Sequence, residues 1–171
     1  PSNVKFQKFK REKAKIAELA NRYISDGDIL IIDSGSTTLE LAKCITAENL
    51  TAFTNDLQIA IELSKKRNID LTVSGGTLIP DVYTLTSYEA VNFYKHLHVE
   101  KLFLSCDAID AEFGISNRDK REVEIKKAML KAANEVILMV DLSKMNNSVL
   151  LQVADFEDID KLIADDIPAD L

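Results

Sequence analysis

Four consecutive apolar residues, Ile29-Leu30-Ile31-Ile32, run into Asp33-Ser34-Gly35-Ser36-Thr37-Thr38, and apolar positions then recur at Leu39, Ala42 and Ile45. A short run rich in β-branched residues predicts a strand buried on both faces, and the spacing after it predicts a helix. The chain is committed here to a strand, a tight polar loop and a helix start. Other elements must cover that strand on both sides.

The loop suits an anion. Gly35 allows a positive φ or a close backbone approach, and the amides of the helix's first turn point the same way as the hydroxyls of Ser36, Thr37 and Thr38. The plainer alternative is that Ser36 or Thr37 N-caps the helix, with Glu40 closing a capping box from Thr37. One glycine excludes a Rossmann fingerprint, and the lack of a following Gly-Lys-Ser/Thr excludes a P-loop.

The same grammar recurs along the chain. Lys8 to Tyr23 is predicted helical from the stripe Ile16, Leu19, Ala20 and Tyr23. Leu50 to Phe53 predicts a strand ending at Thr54-Asn55, followed by a helix from Asp56 to Lys65. Ile69 to Val73 predicts a strand ending at Ser74-Gly75-Gly76-Thr77. Tyr88 to Lys95 is predicted helical, and Val99 to Ser105 is a strand that leads into Cys106-Asp107-Ala108-Ile109-Asp110. Ser116-Asn117 is the expected cap of a long helix from Arg118 to Asn134, and Val136 to Val140 is a strand ending at Asp141-Leu142-Ser143-Lys144. Strands at Val149 to Val153 and Leu162 to Ala164 close the series.

Alternation of this kind predicts an α/β fold, a mostly parallel twisted sheet with helices on both faces. Ligands of such sheets bind beyond the carboxyl ends of the strands, where these polar loops would converge.

Composition narrows the function. With 171 residues the chain can bury a core without staples, and Cys44 and Cys106, each in an apolar run, suit a reducing cytoplasmic setting. No apolar stretch approaches a membrane span. A net charge of −7 gives the chain no nucleic-acid footprint. Residues 1 to 26 nonetheless hold seven basic side chains against three acidic ones, so the basic end is expected to adjoin something further. His96 and His98 lack partners at ligand spacing other than Glu100, and no metal or cofactor is expected. Phe6 and Phe9 read as linker or dimer packing.

Taken together, Asp-x-Gly-Ser-Thr-Thr at 33 to 38, Thr54-Asn55, Gly-Gly-Thr-Leu at 75 to 78, Asp-x-x-Asp at 107 to 110, Glu122 with Lys126 and Met129, and Asp-x-Ser-Lys at 141 to 144 resemble the C-terminal sensor domain of DeoR-family transcriptional regulators. The resemblance implies a fold similar to ribose-5-phosphate isomerase and the coenzyme A transferases. It implies a sensor domain over 12 to 171, with 1 to 11 as the linker from a winged helix-turn-helix. It also implies a homodimer or homotetramer, DNA contact through that other domain only, and a phosphorylated sugar or related metabolite as effector.

On this resemblance the phosphate is expected at Ser34, Gly35, Ser36, Thr37 and Thr38, with Lys126 or Lys144 as the compensating charge. Asp33, Asn55, Asp107 and Asp110 are expected at sugar hydroxyls, with Thr54 also in the ligand site. Gly75 and Gly76 would admit the backbone, and Glu122 with Lys126 is either a site pair or a surface ion pair. Asp107 and Asp110 match the outer positions of the isomerase's Asp-Gly-x-Asp, but Glu112-Phe113-Gly114-Ile115 follows where that enzyme has a lysine and glycines. Binding without turnover is expected, against the alternatives of an isomerase-like enzyme or an oligomerisation domain with a relic pocket. Three positions depart from the family: Ile79 where an arginine is frequent, Thr86 where a glycine is, and Ser105 or Cys106 in place of another glycine.

Overall fold

The computed structural model describes residues 9–165. Lys5, Phe6 and Lys8 of the basic end lie outside them. The first helix, α1 (Lys10–Asn21), packs Ile16, Ala17 and Ala20 inward, and the expected boundary between residues 11 and 12 falls within it. Then follow β1 (Ile29–Ile32), α2 (Ser36–Cys44), β2 (Leu50–Thr54), α3 (Leu57–Ser64) and β3 (Ile69–Val73). A small hairpin, β4 (Thr77–Leu78) and β5 (Leu85–Thr86), leads to α4 (Tyr88–Lys95) and β6 (Val99–Leu104).

The remaining elements are β7 (Ala108–Asp110), β8 (Gly114–Asn117), α5 (Lys120–Ala132), β9 (Ala133–Val140), a 3-10 turn at Leu142–Lys144, β10 (Leu151–Ala154), a second 3-10 turn at Phe156–Asp158 and β11 (Lys161–Ala164).

Six strands form one sheet in the order β11-β9-β6-β1-β2-β3, every neighbouring pair parallel. Successive side chains of a strand point to opposite faces, and the core divides accordingly. Leu30 and Ile32 of β1, Phe103 of β6 and Ile137 and Met139 of β9 pack under α1, α2 and α3. Ile31, Leu102, Leu104, Val136 and Leu138 pack under α4 and α5 with Tyr94, Ile125 and Met129. Both faces of the central strands are thus dry, as the unbroken apolar run of β1 requires.

The chain after β1 winds to one face and the chain around β6 to the other, so β1 and β6 flank the point where the winding reverses. At such a point the loops diverge and leave a crevice at the carboxyl ends of the strands.

Two local expectations are corrected. Ser116 and Asn117 do not cap α5: both are buried in β8, which pairs antiparallel with β7 and β10 in a separate three-stranded sheet. The cap is Asp119, whose carboxylate accepts from Arg121 N at 2.9 Å. The capping box from Thr37 to Glu40 does not form either. Gly35 is the N-cap of α2 without a side-chain bond, and Glu40 pairs with Lys43 at 2.8 Å.

Candidate functional site

The crevice is a cavity of about 70 Å³ at the ends of β1, β2 and β6. Ser34, Gly35 and Ser36 come from the β1–α2 loop, and Ser105, Cys106 and Asp107 from the end of β6. Asn117 ends β8, while Glu122 and Lys126 stand one turn apart on α5. Lys144 arrives from the turn after β9, and Val82 to Thr84, between β4 and β5, form the opposite wall beside Asp56.

Its floor is an ion pair. Asp33 follows the last residue of β1, is fully buried, and accepts through Oδ2 from Lys126 Nζ and from Ser105 N at 3.0 Å. Lys126 also donates to the Ser105 carbonyl at 3.0 Å. Burial alone would push Lys126 down, but the charges of Asp33 and Glu122 and the bond to Asp33 outweigh it and hold the amine above the usual lysine range. This lysine therefore stays charged, with its charge already matched by Asp33.

Ser105 ties the floor to the anion loop. Its hydroxyl donates to the Ser34 carbonyl at 2.7 Å, and a Cβ on Gly35 would stand 2.5 Å from Ser105 Oγ. Gly35 has φ 162°, ordinary extended backbone. The glycine is required by contact with Ser105, not by a left-handed conformation.

Ser34 belongs to a buried hydroxyl–carboxylate chain. Its Oγ donates to Asp56 Oδ2 at 2.7 Å and lies 2.5 Å from Thr84 Oγ1, while Asp56 Oδ1 caps α3 by accepting from Gln58 N at 2.8 Å and Ile59 N at 3.0 Å. Burial pushes the Asp56 carboxyl up, against the bonds from Ser34 and the α3 amides. Glu122 accepts from Asn117 Nδ2 at 3.2 Å. It too is pushed up by burial and by the charge of Asp107, with Lys126 opposing. Asp107 Oδ2 accepts from Arg118 N at 3.1 Å.

The structure brings Ser34, Gly35, Ser36, Asp107, Glu122, Lys126 and Lys144 to the cavity, with Asp33 directly beneath. It does not bring the other expected residues to the lining. Thr37 and Thr38 are fully buried, and Thr38 Oγ1 donates back to the Gly35 carbonyl at 3.0 Å. Thr54, which ends β2, and Asn55 are fully buried, and Asn55 Nδ2 donates to the Leu85 carbonyl at 3.2 Å.

Gly75 and Gly76 shape the entry to β4: Gly76 has φ +118°, and a Cβ there would meet the Thr86 backbone at 3.0 Å. Asp110 closes the β7–β8 turn, accepting from Glu112 N at 2.9 Å and Phe113 N at 2.8 Å. His96 Nδ1 bonds the Asn92 carbonyl, and no group of three or more metal-ligating side chains occurs among the described residues.

Asp56, Val82, Tyr83, Thr84, Ser105, Cys106 and Asn117 line the cavity without having been expected there. Asp56 carried a signal, since a carboxylate just after a strand suits a helix N-cap, whereas Asn117, expected only as a cap and found at the end of β8, and Val82 to Thr84 carried none. The two family departures near the hairpin are placed as well. Ile79 is buried away from the cavity, and Thr86 Oγ1 donates to the Arg121 carbonyl at 3.3 Å.

Comparison with known proteins agrees with this architecture. The chain is 37% identical over 153 residues to a putative sgc region transcriptional regulator of Escherichia coli K12, covering 90% of this chain and 59% of that protein. It is 33% identical over 160 residues to a putative aga operon transcriptional repressor of Escherichia coli O157:H7, covering 92% and 60%. The chain thus spans about three-fifths of the length of the curated relatives it matches.

Among solved structures, ribose 5-phosphate isomerase A from Methanocaldococcus jannaschii shares the fold, with a TM-score of 0.55 at 15% identity, covering 80% of this chain and 55% of that one. Residues 8–166 match the family described as the DeoR C terminal sensor domain. A parallel sheet with a polar cleft at its reversal point, a match over nearly the whole chain and full-length relatives that regulate transcription place this chain in the DeoR C-terminal sensor domain family.

Proposed function

We propose that this chain is the effector-binding part of a transcriptional repressor of sugar metabolism. It binds a phosphorylated sugar or related metabolite in the cleft between β1 and β6, without turnover. The observation that carries this reading is the chemistry of one cavity: Ser36 at the start of α2 and Lys144 face it together with Asp107, Asn117 and Glu122. Amides of a helix start and an ammonium suit an anion, while carboxylates and an amide suit hydroxyls.

The separation of Asp107 from Asp110 supports binding over proton transfer, because only Asp107 reaches the cavity. Effector binding would act on DNA through a further domain and through a dimer or tetramer, in the cytoplasm. Ser36, Asp107, Glu122 and Lys144 are the proposed contacts, with Asp33, Ser105 and Lys126 holding the floor. No described helix is long and apolar enough to cross a membrane.

A thermal-shift screen of sugar phosphates, free sugars and inorganic phosphate tests the reading. A ligand at 100 times its Kd adds about 2.7 kcal/mol of stability. A selective shift from one sugar phosphate, lost in Lys144→Met, is the expected result. No shift from any phosphorylated sugar overturns it.

A further inference from the structure

The two edges of the six-stranded sheet differ. At one, Lys161 of β11 pairs with Glu135 and stands 5.5 Å over the Tyr23 ring, while Lys15 of α1 donates to the Asp165 carbonyl just beyond the strand. Lysines laid along an edge are a common guard against strand addition. At the other, β3 carries no lysine and no proline.

The main chain of β3 is half used. Ser74 N donates to the Thr54 carbonyl at 3.1 Å, and the peptide groups of a strand point alternately to its two sides. Asp70 and Thr72 therefore turn theirs to β2, whereas Ile69, Leu71 and Val73 turn theirs outward. Among the described residues β3 pairs with β2 alone.

Helix α3, which packs on β3, is apolar on an open side. Lys66, just after the helix, donates to the Lys43 and Ile45 carbonyls, which fixes the side of α3 that meets α2. Leu57 and Ile61, one turn apart and turned away from that side, are 37% and 56% exposed.

We propose that β3 is the edge through which this chain dimerises. A second copy adds its own β3 antiparallel across a two-fold axis at Leu71, so that one sheet runs through both copies, and Leu57 and Ile61 of the two α3 helices cover the seam on one face. The hydrogen-bonding pattern selects that axis. It exchanges Ile69 with Val73 and Leu71 with itself, so the outward groups of each copy all meet those of the other, as a self-complementary contact requires. An axis at Asp70 or at Thr72 leaves an outward group unmatched within the strand. Charge agrees, because the axis at Leu71 sets Asp70 opposite Thr72 of the second copy and brings no like charges face to face. This deepens the assembly part of the reading above and is independent of the ligand.

The test follows the chain by sedimentation over a range of concentrations, with amide exchange read residue by residue by NMR. The expected result is a dimer, or a larger even assembly, in which the Leu71 and Val73 amides exchange more slowly as concentration rises. Thr72→Asp sets two like-charge pairs across the seam and weakens the association about tenfold. Asp70→Lys combined with Thr72→Asp makes them opposite-charge pairs and restores it.

A chain that stays monomeric overturns this surface together with the assembly reading and leaves the edge to a different partner. An assembly that Thr72→Asp leaves unchanged, or in which exchange at Leu71 is indifferent to concentration, overturns this surface alone. The exchange measurement needs no variant, so it decides the matter if Thr72→Asp fails to fold.

Discussion

Asp33 and Lys126 stand 93 residues apart in sequence and form a buried ion pair with side chains 1% and 2% exposed. The pair joins the end of β1 to α5, the elements on either side of the cleft. Removing one partner leaves a buried charge without its match. Lys126→Met is expected to cost about 3–5 kcal/mol, and Asp33→Asn with Lys126→Met to recover most of it. Urea unfolding of the two single variants and the double variant measures the coupling.

Gly35 and Ser105 form a steric pair. In Gly35→Ala the new methyl would lie 2.9 Å from Ser105 Cβ as well as against its hydroxyl, so overpacking of about 1–3 kcal/mol is expected. Because the Gly35 backbone is extended, the cost is one of space. Gly35→Ala with Ser105→Gly should return to within about 1 kcal/mol of the Ser105→Gly parent, as read by chemical denaturation.

Glu122 sets a pH dependence. Burial raises its carboxyl pKa above the unfolded value, so folding favours the neutral form. The associated stability is complete below the unfolded pKa of about 4.5 and is lost as pH rises through the folded value. Glu122→Gln lacks this titration. Its stability relative to wild type should therefore rise with pH over that window, with Asp56 adding a slope of the same sign to both proteins. Unfolding curves at a series of pH values decide this.

Asp110 and Asp107 look alike in sequence and differ in place. Asp110→Ala removes the acceptor for two turn amides and is expected to cost about 1 kcal/mol while leaving any effector-induced thermal shift intact. Asp107→Ala should reduce that shift. Equal effects of the two variants on the shift would contradict the assignment.

The fold was legible where hydrophobic pattern and capping chemistry agree. Strand β3 and helix α4 have the expected bounds, Ile69–Val73 and Tyr88–Lys95: apolar residues alternate along the strand, and in the structure the Ser87 side chain caps the helix by accepting from Ala90 N. The β7–β8 hairpin was not legible, since Ser116 and Asn117 are polar yet buried, with Ser116 Oγ accepting from Val149 N at 3.0 Å. Long-range partners alone make those positions strand-like.

In the site, the loop at Ser34 to Ser36 followed from its motif, and Glu122 and Lys126 of α5 from the family resemblance, which left a surface ion pair as the alternative. Thr37 and Thr38 did not, because which hydroxyls of a helical turn face the core depends on how α2 packs. Nor did Val82 to Thr84, whose position is fixed by backbone pairing across the chain.

That pairing has a dynamic consequence. Leu57 N donates to the Tyr83 carbonyl at 3.0 Å and Leu85 N to the Asn55 carbonyl at 2.7 Å, so the wall opposite Lys126 is stitched to the end of β2 and the start of α3. Such a wall does not flap on its own. It opens only when main-chain bonds of the sheet's rim break, which places its opening among slow sub-global events. Little ordering entropy is then lost there when a molecule settles into the cleft, and affinity rests on how well that molecule matches a shape the empty protein already holds.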